Sequence, residues 1–165
     1  MTNNWKIIIV QLRQELLEYG ALLSAFEDQQ KALFSRQPDL VLSLSTAIKE
    51  QLDRAIASRT QREEAVAAFA LAQNMPANSS LRSLLPLIDK DAHPLIEALI
   101  GETNLLIHRV RRTHRQNHTL LNHTVSMHRE TLQMLRPNAF TKTYSPTGIM
   151  SVSSGRVAST LCAAG

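Results

Sequence analysis

Residues 5–33 read WKIIIVQLRQELLEYGALLSAFEDQQKAL, and their spacing decides the fold. Trp5, Ile9, Leu12, Leu16, Tyr19, Leu23, Phe26, Gln30 and Leu33 follow an unbroken 4,3 repeat, which is one apolar seam along one helix. At about 1.5 Å of rise per residue this helix reaches roughly 40 Å, the width of a small domain. The pattern predicts an elongated antiparallel helical hairpin or three-helix coiled-coil bundle. Such a build has little concave interior for chemistry and much linear surface for a partner helix.

The rest of the chain continues the all-α pattern. Pro38 disfavours helix in the residue before it and suits the first turn of the next, so the first helix should stop near Ser35, Arg36 and Gln37. A second helix is expected from about Asp39 to Ala72, its seam formed by Val41, Ile48, Leu52, Ala55, Val66 and Phe69 and its middle made polar by Arg59 and Arg62. Residues 73–80 have loop composition, and Leu81 to Ile88, interrupted by Pro86, read as a short helical cap over one end of the hairpin. Asp89, Asp91 and Pro94 mark the start of a third long helix that should run to Arg136, where Pro137 ends it. Gly101 inside it is either a tolerated cost or a close packing point. Residues 1–136 therefore form the helical domain. Residues 137–165, rich in Ser, Thr, Gly and Ala without a sustained period, are expected to form a flexible tail.

Composition narrows the function. The chain has 165 residues, is 44% apolar and carries a net charge of +4, an excess too modest to imply nucleic acid by itself. One cysteine, Cys162, permits neither an intrachain disulfide nor a Cys-rich metal site. The apolar run from Ile7 to Val10 is too short to span a membrane or to serve as a secretory core, so a cytoplasmic protein is expected. There is no Gly-rich phosphate loop, no nucleophile elbow and no His-Glu zinc motif, and Glu63 and Glu64 diverge around their helix. No enzyme activity, cofactor or metal is expected.

Two constellations on the third helix weigh against bland alternatives. His114 and His118 have the i, i+4 spacing of a shared metal, but no Cys, Asp or Glu lies between His108 and Arg129 to complete a site. Arg109, Arg111, Arg112 and Arg115 make a basic cluster suited to phosphate, yet they fall around the helix, and Glu50, Asp53, Glu63 and Glu64 on helix two are available to pair with them. A helical nucleic-acid-binding module using this Arg109 to Arg115 cluster is the alternative function.

The same helix weakens as a coiled coil. Its seam of Leu99, Leu106 and Val110 turns polar at Thr113 and Asn117 before Leu120 restores it. Either the polar residues set register, or the C-terminal half of the helix is only partly covered. In the second case Leu120, Leu121, Val125, Met127, His128, Leu132, Met134 and Leu135 form an adaptable strip that an amphipathic helix can cover. Burial within its own chain, a partner helix and self-pairing in a homodimer all satisfy such a strip.

Three features occur together: the N-terminal heptad helix, a third helix reading Glu102-Thr103-Asn104-Leu105-Leu106 and then Gln116-Asn117-His118-Thr119-Leu120-Leu121, and a tail with Thr143-Tyr144-Ser145-Pro146-Thr147-Gly148 followed by Ser153-Ser154-Gly155-Arg156. In these the chain resembles the FlgN family of flagellar export chaperones. The resemblance implies a cytoplasmic chaperone of flagellar type III secretion. It would hold the C-terminal helical segments of the hook-associated proteins, prevent their premature assembly and deliver them to the export gate. It further implies that Tyr144, with Gly148, docks on the cytoplasmic domain of that gate. The chain departs from the family picture in being basic and in placing Pro146 just after the tyrosine.

Overall fold

The computed structural model describes residues 5–135, together with the backbone of 140–144 and 150–154. The fold is all-α, built on three long helices: α1 (Trp5–Phe34), α2 (Pro38–Ala72) and, after the short α3 (Leu81–Leu84), α4 (His93–Leu135). The chain divides into two compact units, residues 1–118 and 119–165, so the division falls inside α4.

Local chemistry sets the boundaries in the first unit. Arg36 takes a left-handed backbone at φ 53°, and the amides of Arg36 and Gln37 return to the carbonyls of Leu33 and Ala32 at 3.2 and 3.0 Å. This double bond closes the C-terminus of α1, and Pro38 opens α2 in its first turn. The end of α2 repeats the device: Asn74 has φ 58°, and the amides of Asn74 and Met75 bond the carbonyls of Leu71 and Ala70. Ser80 caps α3 by accepting from the Ser83 amide at 3.2 Å. Pro86 then turns the chain into a 3-10 segment (Leu85–Leu87), and a second one (Lys90–Ala92), capped by Asp89, leads into α4.

In the first unit α2 runs antiparallel to α1 and α4 runs parallel to it, since Arg62 meets Glu15 while Asn117 meets Phe26. Two apolar clusters result. At the capped end Ile8, Ile9 and Leu12 pack with Val66, Phe69, Leu81, Leu84, Leu85, Ile88, Ile96 and Leu99. Farther along, Tyr19, Leu22, Leu23 and Phe26 pack with Ile48, Ala55 and Val110. Between the clusters lies a polar layer of Glu15, Ser58, Arg62 and Thr103.

The layer revises two details of the expected seams. On α1 the burial is wider than one seam, because Ile8, Glu15 and Leu22, each at most 1% exposed, form a second row beside the expected one. Two neighbouring helices cover α1, so two adjacent faces are buried. On α2 Leu52 is 41% exposed, and Gln51 takes the inward position instead. Its amide donates to the Glu18 backbone carbonyl at 3.0 Å and to the Glu18 carboxylate at 2.6 Å, which a leucine there does not do. Gly101 is not a close packing point, since a Cβ added there meets nothing within 4 Å.

In the second unit, α4 continues to Leu135. Its C-terminal segment adds a feature that no period in the sequence announced: strands β1 (Phe140–Tyr144) and β2 (Met150–Ser154) pair antiparallel, with Tyr144 opposite Met150 and Phe140 opposite Ser154.

Candidate functional site

The inward face of α4 is continuous in its spacing. Ile96, Leu99, Thr103, Val110 and Asn117 are buried and separated by steps of 3, 4, 7 and 7. By the helical repeat the same face continues from Asn117 through Leu121, Val125, His128, Leu132 and Leu135, at steps of 4, 4, 3, 4 and 3, while the strict 3,4 seam passes through Leu120, Thr124, Met127, Thr131 and Met134. There the side chains are exposed: Leu121 41%, Val125 47%, Leu132 50% and Leu135 73%. Met127, at 55%, and Met134, at 82%, lie with the half-buried Leu120 on a second row, about a third of a turn away by the helical repeat. The strip expected from sequence thus comprises two rows of different breadth. Thr124 and Thr131, between the second-row residues, return their hydroxyls to the carbonyls of Leu120 and Met127 at 2.9 Å and add no outward donor.

Asn117 stands where burial stops. Its amide nitrogen donates to the Phe26 carbonyl at 2.8 Å and to the Gln29 side chain at 3.1 Å, while Gln30 and Gln116 approach at 3.4 Å. An amide bonded to one particular carbonyl of α1 sets the register of α4. A register role for the polar seam and exposure of the helix beyond it therefore hold together.

The basic cluster pairs differently from expectation. Arg109 approaches Glu27 of α1 at 3.6 Å, not an acid of α2. Glu63 serves its own helix, accepting from Arg59 at 2.8 Å and standing 3.7 Å from Arg62. The Arg59 hydrogen bond holds the Glu63 carboxyl below its ordinary value of 4.5 and raises the Arg59 guanidinium. Asp28 likewise raises the exposed Lys31 ammonium through a 2.8 Å hydrogen bond. Arg111 and Arg112 are exposed. His114 stacks at a tilt on Phe26, 5.3 Å between ring centres, and its ring stands 6.4 Å from that of His118. Among the described residues no three His, Cys, Asp or Glu come together as a metal site, and no helix is long and apolar enough to cross a membrane.

Sequence reasoning missed one assembled feature. A recess of 210 Å³ opens at the polar layer of the first unit, lined by residues of α1, α2, α3 and α4. Glu15, 1% exposed, lies against it and accepts from Arg62 Nε at 2.6 Å. Thr103 also lines it, and the Thr103 and Ser58 hydroxyls are buried without a hydrogen-bond partner among the described residues. An unmet buried hydroxyl costs about 1–3 kcal/mol. Of the tail residues, Tyr144 ends β1, and Gly148 lies outside the described residues.

The family model described as FlgN protein matches residues 1–151. The chain belongs to the FlgN family, a family of flagellar export chaperones. Comparison with curated proteins and with solved structures gave no match.

Proposed function

We propose that this protein is a cytoplasmic chaperone that binds the C-terminal helical segments of hook-associated proteins through the far end of α4, and that it acts by binding rather than by reaction. The observation that supports this is one face of α4: buried up to Asn117, it continues by the helical repeat as Leu121, Val125, His128, Leu132 and Leu135, with those leucines and the valine exposed. An amphipathic cargo helix laid on this row extends the packing that α1 and α2 provide earlier. The second row, Leu120, Met127 and Met134, supplies the adaptable flank, since methionine refits to different neighbours. Covering the cargo segment removes it from self-association by mass action, and release at the gate requires only moderate affinity.

In this reading the tail carries the second contact. Tyr144, with Gly148, presents the chaperone to the cytoplasmic domain of the export gate, the tyrosine acting as an aromatic anchor.

The test is calorimetric titration of the full chain with those C-terminal segments at two salt concentrations. Saturable binding that survives added salt is expected. Leu121→Asp combined with Leu132→Asp should abolish it while circular dichroism stays helical. Tyr144→Ala should keep cargo binding and weaken association with the gate domain. Unchanged cargo binding in the double variant refutes the assigned row. Occupation of the row by a second copy appears instead as a dimer, in sedimentation of the free chain, that the double variant dissociates.

A further inference from the structure

Charge is divided unevenly along the chain. Residues 1–102 carry ten basic and thirteen acidic side chains, whereas residues 103–165 carry eight basic side chains and one acid, Glu130. The first part is therefore net −3 and the second net +7. Acids of the neighbouring helices answer part of this excess: Arg109 approaches Glu27 at 3.6 Å, but Arg111, Arg112 and Arg129 have no ion-pair partner among the described residues. Residues 131–165 add no Asp or Glu that could neutralise them.

Two of these cations stand beside the exposed apolar row. Arg111 and Arg129 are eighteen residues apart, which is five helical turns, so they share one side of α4 and lie about 27 Å apart along its axis. By the same repeat that side is about 40–80° round the helix from Leu121, Val125 and Leu132, on the flank away from Leu120 and Met127. Both arginines are exposed. A second copy of the chain would set one cationic flank against another, which disfavours self-pairing through this face. A nucleic acid would meet the arginines and leave the leucines in water. A lipid surface lies over both flanks of a row alike, whereas here one flank is cationic and the other is Leu120 and Met127. A second helix meets such a row one flank at a time. Resting on the reading that the outer face of α4 seats a helix, we propose that the partner selected there is an amphipathic helix with Asp or Glu along one flank of its apolar face. Its apolar residues cover Leu121, Val125 and Leu132, and its carboxylates accept from Arg111 and Arg129. Exposed pairs of this kind add little affinity each, so their work is to choose the partner and to speed its arrival.

The experiment is equilibrium and stopped-flow fluorescence anisotropy of the full chain with two designed helical peptides that share one leucine row and carry either Glu or Lys along its flank. The Glu peptide is expected to bind about tenfold more tightly than the Lys peptide. Its association should slow about tenfold from low to high salt while its dissociation changes less than about twofold. Arg111→Glu combined with Arg129→Glu should reverse the preference. Arg112→Glu, which removes an arginine about 100° further round the helix, should leave it in place within about twofold. Circular dichroism checks that each variant stays helical. Equal affinity for the two peptides, or a preference that Arg112→Glu alters as much as the paired reversal does, overturns the acidic flank and leaves the helix seat standing. If neither peptide binds while the hook-associated segments do, the flank assignment fails alone; if those segments fail as well, the reading of the row fails with it. Binding of phosphatidylglycerol vesicles or duplex DNA that the paired reversal abolishes, with no preference between the peptides, overturns it too and gives the arginines to phosphate.

Discussion

The two halves of α4 carry apolar residues on one helical face and differ in everything that burial measures. Before Asn117, Ile96 is 0% exposed and Leu99 8%; after it, Leu132 is 50% exposed and Leu135 73%. The residue types are the same. The first half is enclosed by α1, α2 and the α3 cap. Periodicity thus identifies a face, whereas burial requires a neighbour.

Substitutions sharpen this contrast in order of size. Ile96→Ala should cost about 2–5 kcal/mol in urea denaturation, because it removes a fully enclosed side chain. Leu132→Ala should stay within about 0.5 kcal/mol. A comparable cost at both positions breaks the comparison and makes the outer row a core. Asn117→Ala, at the border, should cost about 1–2 kcal/mol through its lost bonds to Phe26 and Gln29. A matching loss of amide-exchange protection around Phe26 would tie that cost to register. Gly101→Ala should gain up to about 1 kcal/mol, since the added methyl meets nothing and the backbone loses freedom only in the unfolded chain.

The smallest effect belongs to the exposed pair on α2. Arg59 holds the Glu63 carboxyl below 4.5, so its contribution is complete above that pH and is lost as pH falls through the lowered value. Both side chains are more than half exposed, so solvent screens the pair to about 0.3–0.5 kcal/mol. Arg59→Gln should remove this slope from a pH series of chemical denaturations, and salt should flatten it.

Much of this was legible in the sequence where one residue carries a local rule. Pro38, Pro86 and the Asp89 to Pro94 segment fix where helices start because proline and capping carboxylates act on the backbone next to them. The second buried row of α1 was not legible, since Ile8, Glu15 and Leu22 turn inward only because two helices cover α1. Nor was the exchange of Leu52 for Gln51 on α2, where a hydrogen-bonded amide displaces a leucine from the interior. The β1–β2 hairpin did leave a trace in Thr141, Thr143, Tyr144 and Val152, strand-favouring residues flanking a connection with Pro146 and Gly148. The recess left none, because positions 12, 15, 62, 82 and 103 converge only in the folded chain.

The parallel course of α1 and α4 also orders events on the ribosome. The Glu15 to Arg62 contact closes 47 residues, whereas the Asn117 to Phe26 bond spans 91. The α1–α2 hairpin is thus complete while the residues up to Asn117 are still being added, an interval of about 2–9 s at ordinary rates of translation. During that interval Phe26, on which His114 of α4 later stacks, lacks that cover. The nascent protein is, for those seconds, in the position of the helices its finished form is proposed to protect.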